Sequence, residues 1–546
     1  MLRLSVKTAW LKWLRVSKMI NFTKDQLAII HAEEKRVVVQ AGPGSGKSTT
    51  IAATVAHQME EHKLSGYDFL IITFSRFAAR QIREKIQGLD PKEKNKIDVD
   101  TFHGFALKMI NKFTATSWTI MDEQDLIHVM DDNGYWPLTT KFKDFINGKI
   151  TAPTPRRENI KAFEKICNQF KWITYNQLLT KLVNNKEAMD WLQQRYSRLF
   201  VDEAQDMNPA QLNIASRMNI EYTTYVGDVS QSIYEWNGAA PRVLMDLSTQ
   251  FKTYTLSENH RSNSDIVDVS TKLILNNKLR IEGKNVATRG FDERCINVHH
   301  REDLYEAVGH CIQKYSDQGS TAILCRTNSE ISDIVMELSN IGISKSLPSS
   351  VLRSNPLFTM LVALVRLRID QCKPYWMLFL RDNARNDGFS FTSDKYAFSE
   401  PSSKFSSMAP DWVERALEIP KFNDFLMFFV KRLGNAEFSD EAILAKRLLR
   451  AFRAEYPSGN EEDFLSWFAT MDVQDIVPEE TSGVRIMTIH QAKGLEFDHV
   501  VVLMPKYKDK DEESRRIVFV AVTRAIETLD IIAYPDNGYL EEMGLA

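Results

Sequence analysis

At 546 residues the chain exceeds what one hydrophobic core supports, so roughly three or four domain-sized units are expected. A 43% hydrophobic and 26% charged composition is that of a soluble globular protein, and no apolar run approaches the roughly 20 residues that span a bilayer. The formal net charge of −3 excludes a wholly basic nucleic-acid coat but leaves room for a local basic groove, while Cys167, Cys295, Cys311, Cys325 and Cys372, scattered and without a C-x-x-C pair, exclude a disulfide framework or zinc finger and suit a reducing, cytoplasmic setting.

Residues 1–20 carry Arg3, Lys7, Lys12, Arg15 and Lys18 with no acidic residue, interleaved with Trp10, Leu11, Trp13 and Leu14. A basic amphipathic helix of this kind can lie on a membrane or serve as a transit peptide. A solvated extension, or a true start at Met19, is the simpler reading, because the ordered pattern begins only at Phe22. Thr23 then reads as a helix cap with Gln26 three residues on, as in a capping box. Gln26 has a second reading, an amide that recognises adenine, because a phosphate loop follows closely.

That loop is Gln40-Ala41-Gly42-Pro43-Gly44-Ser45-Gly46-Lys47-Ser48-Thr49, directly after the apolar strand Val37-Val38-Val39. Gly42, Gly44 and Gly46 permit backbone angles that a Cβ forbids, so successive N–H groups can curl around an anion. A helix beginning near Lys47 adds the positive end of its dipole, Lys47 a full charge, and Ser48 a hydroxyl for a magnesium ion. Ala41 stands where the usual pattern has its first glycine.

Phe69 to Phe74 reads as a second buried strand, Ser75 to Ile86 as a helix, and Val99-Asp100-Thr101-Phe102-His103 as the end of a third strand. This alternation predicts a doubly wound parallel sheet whose ligands bind beyond the carboxyl ends of its strands, where Phe74, Thr101 and His103 fall. Residues 114–194 break the rhythm. They are helix-like, with Trp118, Tyr135, Trp136, Phe170, Trp172 and Trp191 read as core and a loop at 151–155, and are taken as a helical insertion.

The sheet resumes at Leu199-Phe200-Val201-Asp202-Glu203. Two adjacent carboxylates at the end of an apolar strand are an expensive surplus in a purely structural element. Beside a magnesium-bound phosphate they have distinct jobs: Asp202 orders the metal shell and Glu203 polarises a water for in-line attack. In the following run Tyr225–Ala239, Gln231 suits reading a γ-phosphate and Trp236 suits stacking on a base.

With Leu256-Ser257-Glu258-Asn259-His260-Arg261-Ser262, Ala322–Asn328, Val484–Phe497 and Phe519–Ala525, the ordered set resembles the UvrD/Rep family of superfamily 1 DNA helicases. The resemblance implies two RecA-like α/β domains with parallel sheets, each carrying a mainly helical insertion, and ATP and Mg2+ bound between them. The implied bounds are 21–113 with 195–255 for the first domain and 114–194 for its insertion. The second domain takes 256–354 with 479–546, and its insertion 355–478. In that frame Lys47, Ser48, Asp202, Glu203 and Gln231 belong to the first domain's face of the cleft. Arg261 and Arg524 reach across as arginine fingers, His260 takes the base-stacking position and Glu496 faces the ribose. Phe74, Trp236 and His490 take base- and backbone-contacting positions, and Thr101, His103, Arg326, Asn328 and Thr488 hold phosphates and sugars.

Three positions depart from the family: His260 replaces a stacking tyrosine, Asn237 an arginine near the strand, and Thr49 an arginine after the Lys-Ser pair. Both insertions are short for the family, and 399–407 reads as a loop. The expected function is an ATP- and Mg2+-dependent translocase on single-stranded DNA and duplex junctions, moving 3′ to 5′ in repair, recombination or replication. It needs no membrane and is competent as a monomer. The alternatives are a translocase that strips proteins from DNA, and a motor subunit that needs a protein partner or self-association.

Overall fold

The computed structural model describes residues 22–86, 96–116, 118–120, 157–235, 239–280, 285–290, 295–300, 304–315, 318–331, 333–334, 356–369, 376, 411–433, 439–470, 483–508 and 511–545. The basic stretch 1–20, the loops at 151–155 and 399–407, Tyr135, Trp136, Trp236, Asn237 and Cys372 lie outside the described residues. Fifteen strands are described. The first three are β1 (Arg36–Ala41), β2 (Phe69–Thr73) and β3 (Asp98–Thr101), followed by the short β4 (Thr119–Ile120) and β5 (Trp172–Ile173). Then come β6 (Arg198–Val201), β7 (Tyr222–Gly227), β8 (Lys252–Leu256), β9 (Glu258–Asn263) and β10 (Val286–Arg289). The last five are β11 (Ile296–His300), β12 (Ser320–Cys325), β13 (Gly483–Thr488), β14 (Phe497–Leu503) and β15 (Ala525–Ala533).

Six strands form the first sheet in the order β3-β2-β6-β7-β1-β8, every pairing parallel. Val37, Val38 and Val39 are buried on both faces of the sheet, as the β-branched run requires of a central parallel strand covered by helices. Val38 stands opposite Tyr225 on one side and Thr253 on the other. Because the strands are parallel, the residues that follow β1, β2, β3, β6 and β7 emerge along one edge. Lys47, Phe74, Glu203 and Asp228 therefore gather there from distant parts of the chain.

The second sheet runs β11-β15-β14-β12-β13, again wholly parallel. Its core includes Val500, Val502, Leu529 and Ile531, with the Glu512–Val522 helix buried from Arg515 to Val522. Asp511 caps that helix by accepting from Ser514 N at 3.2 Å.

The chain forms two compact units. One holds the chain up to Phe102, Met189–Pro348 and the part from Glu479 on, and so contains both sheets. The other holds His103–Ala188 and Ser349–Pro478, bringing the two stretches that break the strand–helix rhythm into one body. Within that body Trp118 and Trp172 are buried, as their reading as core anticipated. Phe422, Phe425, Phe452, Phe464 and Trp467 pack as a second aromatic cluster. Arg368 ties its helices by donating to Ile419 O at 2.6 Å and to Glu461 Oε1 at 2.9 Å. The described cysteines, Cys167, Cys295, Cys311 and Cys325, are all free and buried. Among the described residues, no helix is long and apolar enough to cross a membrane.

Candidate active site at the sheet edges

The phosphate loop is built by conformations that only its sequence permits. Gly44 and Gly46 take φ values of 68° and 79°. A Cβ on Gly44 would lie 2.4 Å from Asn259 Oδ1, so β9 abuts the loop. Inside the loop Ser45 Oγ donates to Gly42 O at 2.7 Å, and Thr50 Oγ1 donates to Gly46 O at 3.0 Å. Ala41 is the last residue of β1 and fully buried in the sheet core, with no positive φ. A methyl group therefore fills space there and costs no strain. Pro43 is buried, whereas Gly42, Ser48 and Thr49 are half-buried at the loop's mouth.

Gln26 does two things at once. It completes the capping box with Thr23, accepting from Thr23 N at 3.1 Å, and its Nε2 donates to Ser45 O at 3.3 Å. The local reading of this residue is therefore correct, and the same side chain braces the loop.

Lys47 Nζ meets Glu203 Oε1 at 2.8 Å. Glu203 adopts a left-handed conformation, φ 55° and ψ 40°, uncommon for a residue with a Cβ and characteristic of strained functional turns. Gln205 orients it, donating to Glu203 Oε2 while accepting from Asp228 N at 3.0 Å. Burial alone would raise the Glu203 pKa, but Lys47 and then Lys493, with the hydrogen bonds from Lys47 and Gln205, outweigh it and hold the carboxyl down to about 2. Asp202 goes the other way: burial, then the Glu203 charge, push it up to about 6. Asp202 is 5% exposed, and its Oδ1 is buried with no hydrogen-bond partner. An orphaned carboxylate oxygen next to a phosphate loop is what a magnesium shell needs, and the donor set of Asp202 and Ser48 fits that ion.

Two arginines reach this edge from later in the chain, Arg261 on β9, which pairs with β10, and Arg524 just before β15 of the second sheet. Arg524, 1% exposed, donates from Nη2 to Gln231 Oε1 at 3.1 Å and from Nη1 to Leu495 O at 3.0 Å. Gln231 in turn donates to Asp228 Oδ2 at 2.7 Å. Arg261 Nε pairs with Glu496 Oε2 at 2.7 Å, and its Nη1 donates to Thr523 O at 3.2 Å. His260 N donates to Gly44 O at 2.9 Å, while its ring lies 3.1 Å from Thr288 Oγ1. Lys47, Asp202, Glu203, Gln231, Arg261, Arg524 and Glu496 thus line one cleft, where the edge of the first sheet meets β9 and residues flanking β14 and β15.

One cation of this cleft escaped the sequence reading. Lys85, on the Arg76–Ile86 helix, donates to Thr49 Oγ1 at 3.2 Å. Burial lowers its pKa, against the attraction of Glu496 and Asp202. A positive charge therefore stands beside the position where Thr49 replaces the family's arginine. Its only sequence signal was its place on the helix that leaves β2.

Of the expected strand-contacting residues, Phe74 stacks on Tyr234 with ring centroids 4.6 Å apart. Tyr234 OH donates to His490 O at 3.2 Å, and Lys493 Nζ lies 5.0 Å from the Tyr234 ring centroid. Tyr234 and Lys493 both sit inside motifs read from the sequence but were passed over beside Trp236 and His490. Arg326 Nη1 lies 3.4 Å from His490 Nδ1, and burial, with Arg326 adding, lowers the His490 pKa to about 4. Thr488 is buried and accepts from Gln491 N at 3.3 Å; Thr101 is buried and its N–H donates to Asp100 Oδ1 at 2.8 Å; Asn328 is exposed. His103 opens the second compact unit, where its ring meets that of Tyr175 at 4.5 Å and burial lowers its pKa to about 4.

The model of the UvrD/REP helicase N-terminal domain matches residues 22–171 and 147–252, and models of the UvrD-like helicase C-terminal domain match 254–360 and 483–532. The chain belongs to the UvrD/Rep helicase family. Its two parallel sheets are the two RecA-like domains of UvrD-type helicases, and the cleft just described lies between them. Among individual relatives, the chain is similar to the ATP-dependent DNA helicase PcrA of Staphylococcus epidermidis, 23% identical over 94% of this chain and 83% of the relative. The protein of the same name from Staphylococcus aureus is 24% identical over the same shares.

Proposed function

We propose that the chain is an ATP-dependent DNA helicase that hydrolyses ATP between its two sheets to move 3′ to 5′ along single-stranded DNA and separate duplexes. The observation that carries this reading is the Arg524–Gln231 hydrogen bond, which joins an arginine of one RecA-like domain to the phosphate-reading residue of the other inside a cleft that already holds Lys47 and Glu203. In this reading Lys47 compensates phosphate charge. Glu203 is so acidic because Lys47 is its partner, so a phosphate that takes over Lys47 relaxes that pull and returns basicity to Glu203. Gln205 holds the freed carboxylate in place for a water. A magnesium ion on Asp202 and Ser48 would neutralise charge on the phosphoryl oxygens. Arg261 and Arg524 stabilise the charge that spreads over the transferring group, a contribution of about 10³–10⁵ in rate for such fingers. Since neither finger comes from the sheet that carries the loop, Arg261 lying on β9 and Arg524 just before β15, hydrolysis requires closure of the cleft, and closure can be converted into movement.

The strand would run over Phe74 and Tyr234, whose stacked aromatic faces tolerate any base. Thr101, His103, Arg326, Asn328, Thr488 and His490 are its proposed backbone contacts, and Trp236 a further base contact. The proposed setting is cytoplasmic, in repair, recombination or replication. Protein displacement with poor strand separation is the second reading, favoured by the shortness of the two helical stretches. ATP hydrolysis by the purified protein with and without single-stranded DNA tests the reading. It predicts strong stimulation, and hydrolysis indifferent to the strand would reject it.

A further inference from the structure

Three successive main-chain carbonyls at the end of the 228–235 turn are each taken by a side chain from the second RecA-like domain. Lys493 Nζ donates to Gln231 O at 2.7 Å, Arg516 Nε donates to Ser232 O at 2.7 Å, and His490 Nε2 lies 3.2 Å from Ile233 O. The contact with Ile233 O needs a proton on Nε2 and the contact with Arg326 needs an unprotonated Nδ1, so the two together call for the neutral ring. The next two residues are held as well. Tyr234 OH donates to His490 O at 3.2 Å, Glu235 N donates to Glu513 Oε1 at 3.2 Å, and the Glu235 carboxylate pairs with Arg516. Every residue from 231 to 235 thus has a bond to the other domain.

The cost of this arrangement says that it is not incidental. Arg516 is 2% exposed and Lys493 is nearly as deep, with Asp206 as its carboxylate partner. Burying a guanidinium or an ammonium costs several kcal/mol unless its geometry is satisfied. Here both cations spend donors on carbonyls of one short turn. That turn carries two different chemistries three residues apart: Gln231, bonded to Arg524, and Tyr234, stacked on Phe74.

We propose that Arg516 and Glu235 are positioning residues that couple the strand track to the hydrolytic cleft, by clamping the 231–235 turn so that displacement of Tyr234 is transmitted to Gln231. The inference rests on the ATP-and-DNA reading above. Neither residue touches nucleotide or strand in that scheme. They act through the turn, where a misplacement of about 1 Å can cost a hundredfold in rate.

The test is steady-state ATP hydrolysis by the full chain across a titration of oligothymidine, for wild type, Glu235→Gln, Arg516→Lys and the double variant. Glu235→Gln removes the charge from a partly exposed side chain and should leave the fold and the strand-free rate intact. The stimulation factor should drop about fivefold or more in each single variant, and the double should be no worse than the poorer single, because both act through one pair. A merely structural role would lower the strand-free and strand-stimulated rates together, and that outcome, or additive losses in the double variant, overturns the clamp. A stimulated wild type with a stimulation factor unchanged in Glu235→Gln overturns the clamp alone. A wild type indifferent to oligothymidine overturns both the clamp and the function on which it rests.

Discussion

Glu203 and Asp202 are neighbours in sequence with opposite electrostatics, because Glu203 is hydrogen-bonded to Lys47 whereas burial and the Glu203 charge dominate at Asp202. Replacing Glu203 by Gln keeps its shape and its contact with Gln205 but removes the base. Nucleotide binding should persist while turnover falls by about 10²–10⁴; comparing nucleotide affinity with steady-state rate checks this, and near-normal turnover would take the role away from Glu203. With Asp202 raised to about 6, the proposed metal ligand should set the acid limb of activity. Below that pH it is protonated and cannot hold a metal, whereas Glu203 stays ionised down to about 2. Activity should therefore fall as pH drops through about 6, and higher Mg2+ should move the limb to lower pH, since metal and proton compete for one carboxylate. A limb that ignores Mg2+ would contradict the assignment. Arg524→Ala should spare nucleotide binding and slow hydrolysis by about 10³-fold or more, whereas equal loss of both would count against a finger.

At the scale of elements, the phosphate loop depends on glycine for two separate reasons. Gly44 has a positive φ, and its missing Cβ makes room for Asn259 and Arg261. Gly44→Ala should disable hydrolysis while leaving the thermal midpoint of the chain nearly unchanged, because the loop lies outside the hydrophobic core; unimpaired turnover would show that the loop can yield. The strand–loop–helix order here was legible in the sequence, since Val37–Val39 and the glycine spacing leave few alternatives. So was the pair Asp202–Glu203, because carboxylates after an apolar strand stand out. Lys85, Gln205 and Tyr234 were not legible as site residues. Each reaches the site by a side chain from a helix or turn whose local sequence looks ordinary, and only the sheet's parallel edge brings it in.

Taken whole, the molecule divides the work between two sheets that the chain visits in alternation with a second compact unit. The strand–helix rhythm revealed the first sheet directly. The second sheet was legible only through its resemblance to a family, since its strands are separated by long stretches of other structure. Sequence placed a helical insertion in each half, and it had no means of foreseeing that His103–Ala188 and Ser349–Pro478 share one body. Contacts between segments hundreds of residues apart leave no local pattern.

On the proposed function, the Lys47–Arg524 cleft powers movement along DNA. The most direct measurement is ATP-dependent unwinding of duplexes carrying a single-stranded tail at either the 3′ or the 5′ end, by wild type and Lys47→Ala. Wild type should unwind the 3′-tailed duplex and little of the 5′-tailed one, and Lys47→Ala should unwind neither. Equal unwinding of both duplexes, or unwinding that survives Lys47→Ala, would contradict this reading.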